Sequence, residues 1–330
     1  MLSFKALVFQ KFFSRWLCFW ALWALGVQAQ NLPYPSKPIQ VVVPVATGGG
    51  TDLLARNLGQ KVGELLGQPL VIDNKLGAGG NIGAEIVAHA KPDGYTLLVT
   101  PGTIATNVAV YRKLPYDLLK DFQVITLLAQ TGVVLVVHPS IKAQTFPEFV
   151  EWAKAHPDSL SYGSAGLGSP QQLHTEFFNQ LLGMKTTHIP YKGQSQAMQD
   201  LVGGQLHYMF SPLQNALPYI QQGRLRPLVV ASAKRHDSLP QVPAIAEFGH
   251  KGVELANWFA VFAPAGTPAP AVRKLNEAFV KVGRSAEMRD KLNKLGFEPF
   301  FTSPEEATDF MRSELTRWAR VAAYAGIKAE

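Results

Sequence analysis

The chain has 330 residues, 17% of them charged, with 31 Lys and Arg against 24 Asp and Glu. Its one cysteine is Cys18, so disulfides, thiol chemistry and Cys-based metal sites are excluded for everything that follows it. It contains no dense Lys/Arg run with interleaved aromatics, so nucleic acid is not an expected partner.

The first element in chain order is a targeting signal. Lys5, Lys11 and Arg15 precede an apolar stretch, Trp16 to Val27, and then Val27-Gln28-Ala29. This is the layout of a cleavable signal peptide over residues 1–29, and its apolar run is short for a membrane span. Its removal would leave 31 − 3 = 28 basic residues against 24 acidic ones. That balance favours small anions without identifying one. About 300 residues remain, enough for a large core in two domains.

Ile39–Val43 reads as a strand. The glycine loop Ala46–Gly50 follows, and then a helix with Leu54, Leu58, Val62, Leu65 and Leu66 on one face. A strand at Leu70–Ile72 leads into a second loop, Asn74–Gly80, and a short helix, Asn81 to Ala90, with Ile82 and Ile86 on one face. After the turn Pro92-Asp93-Gly94 comes a strand at Tyr95–Val99. Two β-loop-α units in succession predict a parallel sheet with its ligand edge at the C-terminal ends of the strands.

Val133–Val137 is the next strand, and Thr145 is placed to cap a helix over Phe146–Ala155. A third β-loop-α unit runs from Leu160–Tyr162 through the loop Gly163–Ser169 to a helix over Pro170–Leu182. Strand Lys185–Ile189, the segment Tyr191-Lys192-Gly193 and a helix ending near Gly203-Gly204 come next. Then follow Leu206–Phe210, a helix over Leu213–Gln222, and strands at Pro227–Ala231 and Asn257–Phe262. Helices at 271–283 and 304–325 close the chain.

The first loop is no P-loop, because Thr51-Asp52 stands where the motif needs a lysine. The second fails the dinucleotide pattern, because Ile82 stands where the last glycine belongs. What remains is a pair of anion clamps. Bare glycine backbone lets a ligand approach closely, and free N–H groups at a helix start favour negative charge. Asp52 reads as a structural group rather than a catalyst. Gly163-Ser164-Ala165-Gly166 is no nucleophile elbow, since Tyr162 occupies the first glycine position. Ser164 and Ser169 read instead as hydroxyl donors to a ligand. No histidine pair shows metal-ligand spacing. Lys192 is either a surface lysine or a charge at the crevice, and Trp258 is placed near the cleft.

Taken together, the motifs resemble the Bug family, the TctC-like receptors of tripartite tricarboxylate transporters. They are Y-P-S-K-P-I at 34–39, P-x-x-x-G-G-x-T-D at 44–52, L-G-Q-P-L-V-I-D-N at 66–74 and G-A-G-G-N-I-G-A-E at 77–85. Downstream come P-D-G-Y-T-L-L at 92–98, K-L-P-Y-D at 113–117, H-I-P-Y-K-G at 188–193, A-P-A-G-T-P at 263–268 and a terminal A-G-I-K. The resemblance implies a periplasmic, two-lobed type II periplasmic-binding-protein fold of the α/β class. Lobe 1 would be residues 30–132 plus 254–330, and lobe 2 residues 133–253.

It also implies a non-enzymatic monomer that closes on a small organic carboxylate and hands it to membrane permease subunits, with no cofactor and no metal. The rivals are a ligand sensor and an exported enzyme using the same cleft. The first lobe's clamp matches Ala46, Thr47, Gly48, Gly49, Thr51, Asp52, Ala78, Gly79, Gly80 and Asn81. The second lobe's discriminating contacts match Ser164, Gly168, Ser169, Tyr191, Lys192 and Ser211. Two departures bear on specificity. The first loop lacks the family's Phe and second Pro, and Ser211 stands where the family commonly has Asp. Loss of that carboxylate removes a partner for a ligand ammonium, so a dicarboxylate or aromatic acid is expected over an amino acid.

Overall fold

The computed structural model describes residues 33–157, 159–250, 255–324 and 326. The expected signal peptide lies outside the described residues. So do residues 253 and 254, where the second lobe is expected to return to the first, and most of the terminal A-G-I-K.

Ten strands among the described residues form one mixed sheet. β1 (Ile39–Val43) pairs in parallel with β2 (Leu70–Asn74) and β3 (Thr96–Pro101). Four of the five β1 residues are buried, the continuous apolar run of a strand covered on both faces. The predicted parallel character ends at β3, which runs antiparallel to β9 (Ala256–Pro264). β9 in turn lies antiparallel to β4 (Phe122–Val137).

β4 is 16 residues long and starts well before the expected Val133. Its first part, Phe122–Gly132, pairs with β9 and, at Ala129 and Gln130, with β10 (Glu298–Pro299). Its last part, Val133–Val137, lies between β7 (Tyr208–Pro212) and β8 (Arg226–Val230). Beyond β7 come β5 (Ser161–Ser164) and β6 (Thr187–Pro190), again in parallel. One strand thus belongs to both halves of the sheet.

Helices cover both faces. α1 (Gly50–Leu66) buries Leu54, Ala55, Leu58, Gly59, Val62 and Gly63. Leu65, expected on that face, is exposed, because glycines 59 and 63 form the inner stripe and let the helix approach β2. α2 (Asn81–Ala88) buries Asn81, Gly83, Ala84 and Val87 and turns Ile82 and Ile86 outward, the reverse of the expected face. Gly83 explains the orientation, since a Cβ there would lie 2.9 Å from Pro44 and 3.0 Å from the Lys75 carbonyl. α3 (Thr103–Val110) and β10 are absent from the sequence reading.

α4 (Phe146–Ala155) carries the expected Thr145 cap, reinforced by Glu148 as a capping box. α5 (Pro170–Leu182), α6 (Gln194–Val202) and α7 (Leu213–Gln221) follow β5, β6 and β7 in turn. α8 (Ala269–Gly283), α9 (Ala286–Lys294) and α10 (Pro304–Tyr324) close the chain, and α9 was not expected. None of the described helices is long and apolar enough to cross a membrane.

Candidate functional site

A cavity of about 470 Å³ opens where the C-terminal ends of β1, β2 and β3 face the loops after β5, β6 and β7. One wall is Pro44–Ala46, Gly49–Thr51, Leu76–Gly80, Thr100, Pro101, Thr103, Asn107, Asn257 and Phe259. The other is Ala165, Leu167, Ser169–Gln171, Lys192–Gln196, Gln214 and Asn215. Among the described residues no Asp or Glu lines it, and Lys192 is the one charged wall residue.

The helices that open onto this space start without a side-chain cap. α1 begins after Gly49, α2 after Gly80, α3 after Gly102, α6 after Gly193 and α7 after Pro212, and none of these residues caps its first turn through a side chain. Away from the cavity, Thr145 and Ser285 cap α4 and α9. A serine or threonine at a helix start occupies a first-turn N–H with its own oxygen, and a glycine leaves that group for a ligand. α5 is the cavity helix that departs from this pattern, since Ser169 Oγ accepts from the Gln172 amide. Several helix starts around one cavity without acidic side chains make a site for negative charge.

The second loop carries four consecutive residues with positive φ: Gly77 at 128°, Ala78 at 48°, Gly79 at 62° and Gly80 at 94°. An alanine in that region is strained, and such strain persists only where the surroundings hold it. Here Asn107 of α3 does so, its Nδ2 donating to the Gly79 carbonyl at 3.1 Å and to Asn81 Oδ1 at 2.7 Å. Asn81 Oδ1 also accepts from the Tyr116 hydroxyl at 2.7 Å.

Of the residues proposed from sequence, Ala46, Gly49, Thr51, Ala78, Gly79, Gly80, Ser169 and Lys192 line the cavity. Lys192 is thereby placed at the crevice, on its exposed side. The others stand outside the lining, each for a visible reason. Asp52 is buried, and its carboxylate accepts from the Gly48 amide, Arg56 Nε and Asn74 Nδ2 at 2.9, 2.9 and 3.0 Å. Thr47 Oγ1 donates to Asn74 Oδ1, away from the cavity. These bonds tie the first loop, Gly48 included, to the end of β2. Asn81 is occupied with Asn107 and Tyr116, as described.

On the second wall, the Tyr191 hydroxyl donates to Asp200 at 2.7 Å on α6. Gly168 donates its amide to Gln172 Oε1 and faces Val110 of α3, where a Cβ would come within 2.5 Å. Ser211 is fully buried, one step behind the wall, and its Oγ accepts from Gln194 Nε2 at 3.1 Å. Trp258, placed near the cleft from sequence, turns away. Its neighbours Asn257 and Phe259 line the wall instead, as strand alternation requires.

Ser164 has a histidine partner that the sequence reading did not find, with His188 Nε2 at 2.7 Å. Neither residue lines the cavity, so the pair is not placed there as a nucleophile and base. The Ser164 hydroxyl is fully buried and donates to the Gly166 carbonyl at 2.9 Å, which leaves His188 Nε2 as donor to it. Burial lowers the His188 pKa to about 4, so the ring is neutral near pH 7.

Sequence reasoning missed Gly50, Asn107, Gln171, Gln194, Gln214 and Asn215 in the wall. Most stand within a residue or two of a helix start, and that position was the available signal.

Asp52 gives a first expected result. Burial alone would raise its pKa, but hydrogen bonds from Arg56, the Gly48 amide and Asn74 hold it below the ordinary 3.8. A depressed carboxylate stabilises the fold above its ordinary pKa, and that contribution is lost as pH falls through the folded value. Asp52→Asn is therefore expected to melt earlier than the parent at pH 7, by about 1–3 kcal/mol of stability. The gap should narrow below about pH 4. Melting curves at both pH values check this, and a gap that widens in acid would refute it.

Comparison with known proteins places these features. The family model described as the tripartite tricarboxylate transporter family receptor, TctC, matches residues 54–327. An R. palustris protein solved with adipate is 38% identical, covering 90% of this chain and 100% of that one, with a TM-score of 0.86. The periplasmic binding protein BugD is 32% identical over 90% of this chain and 100% of its own, with a TM-score of 0.83. MatC from Rhodopseudomonas palustris, solved with bound malate, is 35% identical over 87% of this chain and 99% of its own, with a TM-score of 0.80. The two-lobed α/β fold, the glycine loops and the matched length agree: the chain belongs to the TctC family of solute-binding receptors, among which are the Bug proteins.

Proposed function

We propose that this receptor is exported to the periplasm, captures a small organic carboxylate by lobe closure and passes it to the permease subunits of a tripartite tricarboxylate-type transporter. It acts as a binding protein rather than an enzyme. The lobes are residues 30–132 with 254–330, and 133–253, which meet along β4. One observation carries the carboxylate reading: uncapped helix starts and two glycine loops surround a cavity with no acidic wall residue. That arrangement holds an anion through main-chain N–H groups. Relatives solved with adipate and with malate support the same ligand class. Within it, a dicarboxylate or aromatic acid is favoured.

The test is a thermal-shift screen of residues 30–330 against aliphatic dicarboxylates, citrate, aromatic acids and acidic amino acids, followed by calorimetry. A ligand at roughly a hundred times its dissociation constant stabilises by about 2.7 kcal/mol, a shift of a few degrees. A shift with one class of acid is expected. If no acid gives a shift or binding heat, the proposal fails.

A further inference from the structure

The second wall of the cavity has a polarity fixed from behind. The Pro212 carbonyl can only accept, and Ser211 Oγ donates to it at 3.1 Å. Ser211 Oγ must then accept from Gln194, which presents Nε2 at 3.1 Å. Gln194 therefore turns Oε1 the other way, and Gln171 Nε2 donates to it at 3.1 Å. At the end of this chain, Gln171 is left with its carbonyl Oε1. That atom is buried with no partner among the described residues, on a residue only 7% exposed that lines the cavity. Gln214, another wall residue, has a second buried Oε1 without a partner. Its side chain lies against the start of α1, where a Cβ on Gly50 would sit 3.1 Å from Nε2.

Buried acceptors are nearly always satisfied, and an orphaned one in a wall marks a group still to be supplied. Neither oxygen can serve a carboxylate, which has no proton to give. Among the described residues no Asp or Glu lines the cavity to neutralise an ammonium. We propose that the cavity reads, besides an acid group, an uncharged hydrogen-bond donor on the ligand, a hydroxyl or a carboxamide N–H, and that Gln171 Oε1 accepts from it. The inference rests on the carboxylate reading given above. On it, Ser211 acts on specificity through Gln194 and Gln171, as a positioning residue that never touches the ligand.

The experiment compares matched acids by calorimetry on residues 30–330: succinate with 2-hydroxysuccinate and aspartate, adipate with 3-hydroxyadipate and 2-aminoadipate, benzoate with 3-hydroxybenzoate. For a parent that binds, at least one hydroxylated form is expected to bind about ten-fold tighter or more, since a site built for a hydroxyl rejects the analogue lacking it. The amino form should bind more weakly than the hydroxyl form. In Gln171→Met the ratio of the two affinities should fall to near one, whatever the change in affinity for the parent acid. Gln194→Met, which releases the Gln171 amide from its fixed orientation, should blunt the same preference and serves if Gln171→Met does not fold. Parents binding as tightly as their hydroxylated forms would overturn the inference and leave the carboxylate reading standing. Amino forms binding tightest would also overturn it, as would a hydroxyl preference that survives Gln171→Met. Binding of no acid at all would overturn both.

Discussion

Gly80→Val is expected to leave a folded chain that has lost roughly ten- to hundred-fold of its affinity for organic acids, since each ten-fold corresponds to about 1.4 kcal/mol. Space is not the obstacle, because the nearest atom to a Cβ at Gly80 is Pro44 Cβ at 3.4 Å. Backbone conformation is. Gly80 sits at φ 94°, last in the run of positive-φ residues that begins at Gly77. A β-branched residue there carries about 1–3 kcal/mol of strain or more. The turn would relax by shifting the amides that face the cavity and loosening the Asn107 bond to the Gly79 carbonyl.

Gly223→Val is the matched control. Gly223 also has positive φ, 68°, with nothing within 4 Å, and it lies outside the cavity lining. Both variants should melt earlier by a similar amount, and only Gly80→Val should bind poorly. Calorimetry with the best acid from the screen decides, and unchanged affinity in Gly80→Val would remove the second loop from the site.

The largest loss of stability is expected from Glu314→Ala. Glu314 of α10 is 2% exposed. Its Oε2 accepts from the indoles of Trp258 and Trp318 at 2.6 and 3.0 Å, and its Oε1 pairs with Arg317 at 3.0 Å. His174 of α5 stacks on Trp318 with ring centres 5.2 Å apart, so the carboxylate anchors the packing of α5 on α10. Truncation leaves two buried indole N–H groups and a cation without their acceptor. Each buried donor left unsatisfied costs about 1–3 kcal/mol, so the two indoles together account for roughly 2–6 kcal/mol. The melting temperature should drop by about 5–10 °C. Glu314→Gln keeps an acceptor for the indoles and should lose less. If Glu314→Ala melts within a degree of the parent, the carboxylate is not the anchor described.

Much of the architecture was legible where local signals agree. Ile39–Val43 and Phe146–Ala155 were read to the residue, the first from a continuous apolar run and the second from Thr145 as its cap. Short or polar elements were not. α3 is mostly Thr, Ala and Val, and α9 buries only Met288 and Leu292. The outward turn of Ile82 and Ile86 depends on Gly83 meeting Pro44, a contact between segments that periodicity cannot report.

The site divides the same way. The glycine loops announce themselves because bare backbone at a strand-to-helix junction has few other uses. The Gln171–Gln194–Ser211 chain does not, because its members lie 23 and 17 residues apart and only the fold brings them together. Ser164 and His188 were missed for the same reason, being 24 residues apart.

The strand shared by both halves of the sheet also bears on how the chain reaches its fold. Between Asp121 and Lys142 there is no charged residue, and β4 fills most of that interval. Its partner β9 begins at Ala256, more than a hundred residues later. Val133–Val137 can pair earlier with β7 and β8, but until those later residues arrive the first part of this uncharged segment, Phe122–Gly132, has no native edge to pair with. Such a segment is a template for association between unfolded copies. Refolding yield should therefore fall steeply with protein concentration, and a single lysine at the partly exposed Gln130 should ease that dependence more than a lysine elsewhere on the surface.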